Sequence, residues 1–277
     1  MCGSSCLRHG GAFPAHGGMK FVPRKIEKTA DNSRGKESSK DKLKNLTSVV
    51  GVLAVLYFAI GLLADFVAMR ISEETEGKVF GSAVSVLQSE SAPPEFELAE
   101  KTFDRLIRNS ELRPLPYRLV YWDEKSPNAF AVPGGGVIVT QGLLDTVTNE
   151  TALAFVLSHE MGHHQHRHTL RGVGRGLLVS LVFNYIFGST GGDVVSGAVK
   201  LAEMGHSRHD ERQADDFGFR LAYASFGNAD GYLNFFQKLR DEHQKHDTHW
   251  LKFLNSHPPT GERLDDLKKL RDQLDER

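Results

Sequence analysis

Residues 45–64 carry no charged side chain, and most of these 20 positions are Leu, Val, Ala, Ile or Phe. At about 1.5 Å per residue, a helix of that length spans about 30 Å, the thickness of a bilayer's hydrocarbon core. A core helix of a globular protein is the bland alternative, but this run is apolar on every face rather than along one stripe. A cleaved signal peptide fits worse, because its apolar region is shorter and a small-residue cleavage site follows it. The run is therefore read as a membrane anchor over residues 45–69, with a folded domain over 70–277.

The flanks give an orientation. Residues 26–45 hold six basic side chains, Lys28, Arg34, Lys36, Lys40, Lys42 and Lys44, whereas residues 70–89 hold two, Arg70 and Lys78, beside Glu73, Glu74 and Glu76. Positive charge stays on the cytoplasmic side. The N-terminus is accordingly placed in the cytoplasm and the domain across the membrane, in a bacterium the periplasm or exterior. Residues 1–44 carry ten Lys/Arg against four Asp/Glu and almost no apolar clusters, so they read as a disordered basic tail. Glu27, Asp31, Glu37 and Asp41 argue against a mitochondrial targeting segment. Cys2 and Cys6 lie in this tail and cannot staple a domain that starts far downstream; Met19 is an alternative start that would remove both. A net charge of -1 gives no sign of nucleic-acid binding.

In the domain, residues 95–109 show apolar positions at helical spacing, ending before Pro114. Residues 117–122 form a strand pattern of β-branched and aromatic side chains. Two further β-rich runs, 128–132 and 137–140, flank a Pro133-Gly-Gly-Gly136 break and read as a hairpin or adjacent edge strands. Asn149 caps a helix that runs on to about His168. Helical patterns return over 210–224, 231–244 and 261–274. The expectation is an α+β domain, mainly α, with a small β-sheet.

The chemistry lies in His159-Glu160-Met161-Gly162-His163, an H-E-x-x-H on that helix. Residues four apart share a helical face, so both imidazoles can meet one metal ion. Glu160 sits beside the ion as a base, in place to take a proton from a water acidified to a pKa near about 7. A chance match among 13 histidines is the alternative. Catalytic zinc takes three protein ligands, and the extended pattern H-E-x-x-H-x-x-G-x-x-H is excluded, because positions 166 and 169 are His166 and Thr169. A third ligand from a later helix is expected, with Glu203, His206 and Glu211 as candidates. Glu211 is favoured because Asp215, one turn on, is placed to orient a histidine ligand.

Residues 176–192 are also uncharged, but include Ser180, Asn184, Ser189, Thr190 and several glycines, and their dense apolar part, 177–187, has 11 residues, short for a span. A single crossing there would separate His159 from any ligand beyond it. A hairpin would need a second span, and 194–204 is too short and is interrupted by Lys200. Residues 173–204 are read as a hydrophobic insertion that packs on the domain or dips into the membrane surface.

These segments resemble a known family. The stretch HEMGHHQHRH resembles the H-E-x-G-H-x-x-x-R-H signature of the M48 metallopeptidases. Ser207-Arg-His-Asp-Glu211-Arg-Gln-Ala-Asp215 is similar to their S-R-x-x-E-x-x-A-D. Asn128-Ala-Phe-Ala with Gly135, and Gly142-Leu-Leu, resemble the strand and turn ahead of the active helix. Ser256-His-Pro-Pro-Thr-Gly-Glu-Arg263-Leu resembles the closing S-H-P-x-x-x-x-R. The resemblance covers residues 128–264 and implies a zincin-like fold and a zinc endopeptidase with one Zn²⁺ per subunit. It makes His159, His163 and Glu211 the ligands, Glu160 the catalytic base and Asp215 the carboxylate behind a ligand. His257 would lie near the site as a stabiliser of the oxyanion, and Arg263 would hold the local structure. Asn128, Ala129, Phe130 and Ala131 would bind the substrate backbone as an added strand. His164, His166 and His168 read as surface or structural residues. The chain lacks the multiple spans of the family's prenyl-protein proteases, which points to the single-anchor members, acting on damaged polypeptides at a lipid bilayer.

Overall fold

A computed structural model describes residues 38–86, 92–147, 149–187, 200–201, 204–227, 230–244 and 251–276. Up to Gly51, the described residues are the opening turns of a helix and are exposed. That helix, α1 (Ser39–Arg70), starts ahead of the uncharged run, so Lys40, Lys42 and Lys44 are helical rather than part of a disordered tail. The rest of the tail, with Cys2 and Cys6, lies outside the described residues. Among these residues, α1 is the one helix long and apolar enough to cross a membrane. Leu53, Leu56, Phe58 and Leu62 stand exposed on it, as lipid-facing side chains do.

From Val52 onward the chain is mainly helical with one small sheet, an α+β architecture. After α2 (Glu73–Val86), α3 (Phe96–Arg108) turns Phe96, Ala99, Phe103 and Leu106 into the core. Three strands follow: β1 (Arg118–Trp122), β2 (Ala129–Val132) and β3 (Gly136–Thr140). Their order is β1-β3-β2, with β1 parallel to β3 and β2 antiparallel to it, so β2 is an edge. The break at Pro133 is the hairpin turn. A short helix, α4 (Gln141–Thr146), leads to α5 (Glu150–Gln165), the H-E-x-x-H helix.

Asn149 caps α5 as its sequence suggests, its side-chain oxygen accepting from the backbone N–H groups of Thr151 and Ala152. The helix is buried continuously from Leu153 to His164. It ends at Gln165 rather than near His168, because Arg167 adopts φ 57° and starts α6 (His168–Phe187) on a new course. A left-handed residue with a Cβ costs about 1–2 kcal/mol. Arg167 offsets that with bonds from its guanidinium to Ala68 O at 2.8 Å, Ile71 O at 2.6 Å and Glu73 at 2.7 Å. Residues 177–187 of the expected insertion thus belong to a regular helix, and 188–199 lie outside the described residues. The domain is completed by α7 (Arg208–Phe226), α8 (Asp230–Gln244), α9 (Leu251–Ser256) and α10 (Gly261–Asp275).

Two glycines set the approach of α5 to α7. A Cβ on Gly162 would lie 2.7 Å from Ala214 O and 2.8 Å from Ala214 Cα, and one on Gly218 would lie 2.9 Å from the backbone nitrogen of His159. Backbone therefore meets backbone at both points. Two turns before Gly162 on the same side of α5, Phe155 packs against Tyr232 of α8 at 3.9 Å between ring centroids and Phe235 at 5.4 Å.

Gly162→Ala tests this contact. Alanine gains about 1 kcal/mol of helix propensity, whereas forcing a methyl into a filled space costs about 1–3 kcal/mol, and here the obstacle is backbone that has no rotamer to yield. The expected outcome is a lower thermal unfolding midpoint for the full chain in detergent. An unchanged or raised midpoint would show that the helices have room to part.

Candidate metal centre

Three segments build the site. On α5, His159 and His163 project from one face, and their Nε2 atoms stand 3.1 Å apart. On α7, a capping box between Ser207 and Asp210 fixes the first turn, and Glu211 in that turn presents its carboxylate to both imidazoles, at 3.4 Å from His159 Nε2 and 3.5 Å from His163 Nε2. The segment between α9 and α10 brings His257, whose Nδ1 is 3.2 Å from His159 Nε2 and 3.2 Å from Glu211 Oε1. All are buried. Donors bound at 2.0–2.1 Å around a tetrahedral ion stand roughly 3.3–3.4 Å apart, so the separations of His159, His163 and Glu211 fit a single zinc ion.

A second carboxylate borders the group. Glu160 lies with His159, His163 and His257 in a cluster whose candidate donor atoms fall within 4.8 Å of one another. Its Oε2 accepts from Ala131 N–H at 2.8 Å. Its Oε1 is buried without a hydrogen bond among the described residues, 3.4 Å from His257 Nε2. The two carboxylates are in opposite electrostatic states. For Glu211, burial opposes ionisation, but the charges of His257 and Arg263 and bonds from His159 and His163 hold it well below the usual range. For Glu160, burial pushes the carboxyl up, and the attraction of His257 and His159 does not bring it back. An ionised carboxylate suits a cation ligand, and a raised one suits proton transfer.

Behind these donors each α5 histidine has a partner. His159 Nδ1 donates to Asp215 Oδ1 at 3.0 Å. Asp215 also receives Arg263 Nε at 2.6 Å and Nη2 at 2.8 Å, and the Tyr232 hydroxyl at 3.4 Å. Arg263 Nη1 is 2.8 Å from Glu211 as well, so one buried guanidinium joins both α7 carboxylates. Burial works against a charge on His159, but Asp215 and Glu211 outweigh it and raise its pKa to about 10.

His163 has a partner that the sequence reading assigned only to surface or structure. Its Nδ1 lies 3.1 Å from His168 Nδ1, and His168 Nε2 lies 3.0 Å from Gln213 Oε1. The amide oxygen accepts only, so His168 carries its proton on Nε2 and offers a lone pair at Nδ1. His163 must then donate from Nδ1, which leaves its Nε2 lone pair facing the cluster. Burial, with His206 and His159 nearby, keeps His163 well below the usual histidine range and therefore neutral. The signal for His168 was the closing histidine of the H-E-x-G-H-x-x-x-R-H pattern.

The remaining expected residues divide. His206 stacks on His163, with centroids 3.9 Å apart, rather than joining the donors; Glu203 lies outside the described residues. His164 is buried, with Nε2 2.9 Å from Gly136 O, and burial lowers its pKa to about 4. His166 caps α5. Asn128 is buried, its backbone N–H on Thr140 Oγ1 at 2.8 Å and its side-chain oxygen without a hydrogen bond among the described residues. Ala129 faces the main core and Phe130 a smaller one with Val120, Ile138 and Val173. Of the strand, it is the Ala131 backbone that touches the site.

A model of peptidase family M48 matches residues 93–271, about two thirds of the chain. The chain belongs to peptidase family M48. M48 metallopeptidases depend on zinc, in keeping with the donor set just described. The chain is 27% identical over 184 residues to the beta-barrel assembly-enhancing protease of Yersinia pestis, a match covering 62% of this chain and 38% of that protein. It is 25% identical over 149 residues to the mitochondrial metalloendopeptidase OMA1 of Saccharomyces cerevisiae, covering 52% and 43%, and 28% identical over 113 residues to the OMA1 of Arabidopsis thaliana, covering 40% and 23%. The matches therefore span less than half the length of these M48 relatives.

His168→Phe keeps a ring in place but removes the acceptor, leaving the His163 Nδ1 proton buried and unpaired. Loss of such a ligand partner lowers metal affinity by about 10–100-fold. Competition for zinc with a chelator is expected to show that loss in the variant; equal affinity would mean that His163 needs no partner.

Proposed function

We propose that the chain is a membrane-anchored zinc endopeptidase that hydrolyses peptide bonds in unfolded or damaged polypeptides. The observation that carries this reading is the pair of buried carboxylates, Glu211 held ionised between two imidazoles and Glu160 with a raised pKa and a free oxygen. A purely structural site has no use for the second.

His159, His163 and Glu211 would hold the zinc. Zinc bound there supplies Lewis acidity, which polarises a carbonyl and acidifies a water. Glu160 takes the proton of the attacking water at Oε1, the oxygen left free by Ala131, and passes it to the leaving amide nitrogen. General acid–base catalysis of this kind contributes about 10²–10⁴-fold. His257, with Nε2 3.4 Å from Glu160 Oε1, offers a proton to the developing oxyanion. Asp215 and Arg263 keep the His159 ring and the Glu211 carboxylate in register. An extended substrate would pair with β2, the sheet's edge, along Asn128, Ala129, Phe130 and Ala131. Main-chain pairing recognises backbone rather than side chains, which favours loosely folded polypeptides. α1 supplies the anchor, with the basic N-terminal flank in the cytoplasm and the domain from residue 70 on the opposite side, following the charge asymmetry across the run.

Glu160→Gln keeps the shape and removes the base. With the full chain in detergent and an unfolded protein as substrate, cleavage is expected to fall by about 10²–10⁴-fold while zinc content stays at one per chain. A chelator should abolish wild-type cleavage, and added zinc should restore it. Wild-type cleavage that survives the substitution would remove Glu160 from the mechanism, and a zinc-loaded wild type that cleaves nothing would remove the endopeptidase reading.

A further inference from the structure

α6 meets α1 in a regular antiparallel order. Arg167, just before α6, reaches Ala68 O and Ile71 O. One turn on, Arg171 Nε and Nη2 lie 3.1 and 3.2 Å from the Asp65 carboxylate. Another turn on, Arg175 Nε lies 3.1 Å from the same carboxylate, and a Cβ on Gly61 would stand 3.9 Å from that nitrogen. After a further turn, Val179 borders a groove of about 320 Å³ with Tyr57, Phe58 and Leu62. As α6 advances from 167 to 179, its neighbours on α1 run back from 71 to 57.

This register aligns two charge boundaries. Asp65 is the first charge after the uncharged run of α1, and Arg175 is the last charge before the uncharged residues 176–192. The two are bonded to each other, so both helices pass from charged to uncharged at one level. The contact face of α1 carries Gly61, Ala64 and Ala68, the last two buried, and small residues are what packed membrane helices use. Beyond Arg175, α6 continues for 12 residues to Phe187, about 18 Å of helix, or a little over half of a hydrocarbon core of about 30 Å. The chain then comes back. A Cβ on Gly176 would collide with the Leu201 side chain, and His206 stacks on His163. Departure and return are therefore at the same level, which a crossing does not allow.

We propose that α6 enters the bilayer beside α1 as a re-entrant segment, with residues 176–187 in the lipid hydrocarbon and acyl chains in the groove between the two helices. The inference rests on α1 lying in the membrane. It gives the domain a second lipid contact on the helix whose first residue, His168, is bonded to His163.

The test is fluorescence quenching in the full chain, with Cys2→Ser and Cys6→Ser, reconstituted in phosphatidylcholine–phosphatidylglycerol vesicles. Single labelled cysteines replace Val179 or Val182 on α6, Phe58 on α1, and Lys269 on α10 as a control. The quencher is a nitroxide on the lipid acyl chain, near the headgroup or near the chain end. Quenching at 179 and 182, deeper at 182, comparable with 58 and absent at 269, is the expected result. If 58 is quenched while 179 and 182 behave like 269, α6 packs outside the lipid and the proposal falls. If 58 is not quenched either, the membrane reading of α1 falls first and the proposal with it.

Discussion

The site depends on a contact in which backbone meets backbone. Packed helices ordinarily keep their axes about 8–10 Å apart, spaced by side chains. Between α5 and α7 that spacing is removed at two points, Gly162 against Ala214 and Gly218 against Ser158 and His159. A helical face repeats every four residues, so one row of α5 offers His159 and His163 and one row of α7 offers Glu211 and Asp215. Only at this close approach do the four meet, with Glu211 between the imidazoles and Asp215 behind one of them. The Gly of H-E-x-G-H and the Ala of E-x-x-A-D are thus as much a part of the metal centre as the ligands they separate.

Each metal-facing imidazole is backed differently. His159 leans on an ionised carboxylate that a guanidinium also grips, and its pKa rises to about 10. His163 leans on a neutral imidazole, and burial keeps it unprotonated. A cation entering the site must therefore displace a proton from His159, whereas His163 is already a lone-pair donor. Metal binding here releases a proton and weakens as pH falls, in the general manner of ligands that must deprotonate, with His159 as the source.

The parts of this arrangement that show in sequence are the local ones. An i,i+4 pair of histidines, an i,i+4 pair of carboxylates and an Asn cap each follow from helical periodicity, and the hairpin follows from Pro133 and its glycines. Elements without periodicity stayed hidden. α4 and α9 have six residues each, too few for a pattern, and α2 has no sustained apolar stripe; it buries Glu76, made tolerable by Arg113 at 2.6 Å. The bend at Arg167 was invisible because its causes, the carbonyls of Ala68 and Ile71, lie almost a hundred residues away. The role of His168 needed that bend, since a straight helix would have carried it past His163. The Phe130 side chain is drawn into the sheet's own core, because alternate residues of a strand face opposite ways, which leaves the backbone of β2 as the part proposed to meet substrate.

Charge accounts for the two roles of the glutamates. Arg263 and the neighbouring histidines balance Glu211 and Asp215, and hold both carboxylates below their usual range. Glu160 stays out of this balance, raised by burial and by Glu211. A divalent ion among the proposed ligands would add positive charge beside Glu160. Its oxygen without a partner faces the cluster, and a nearby cation favours its ionised form. A cation held there would therefore lower the pKa of Glu160 and favour the form that accepts a proton from water.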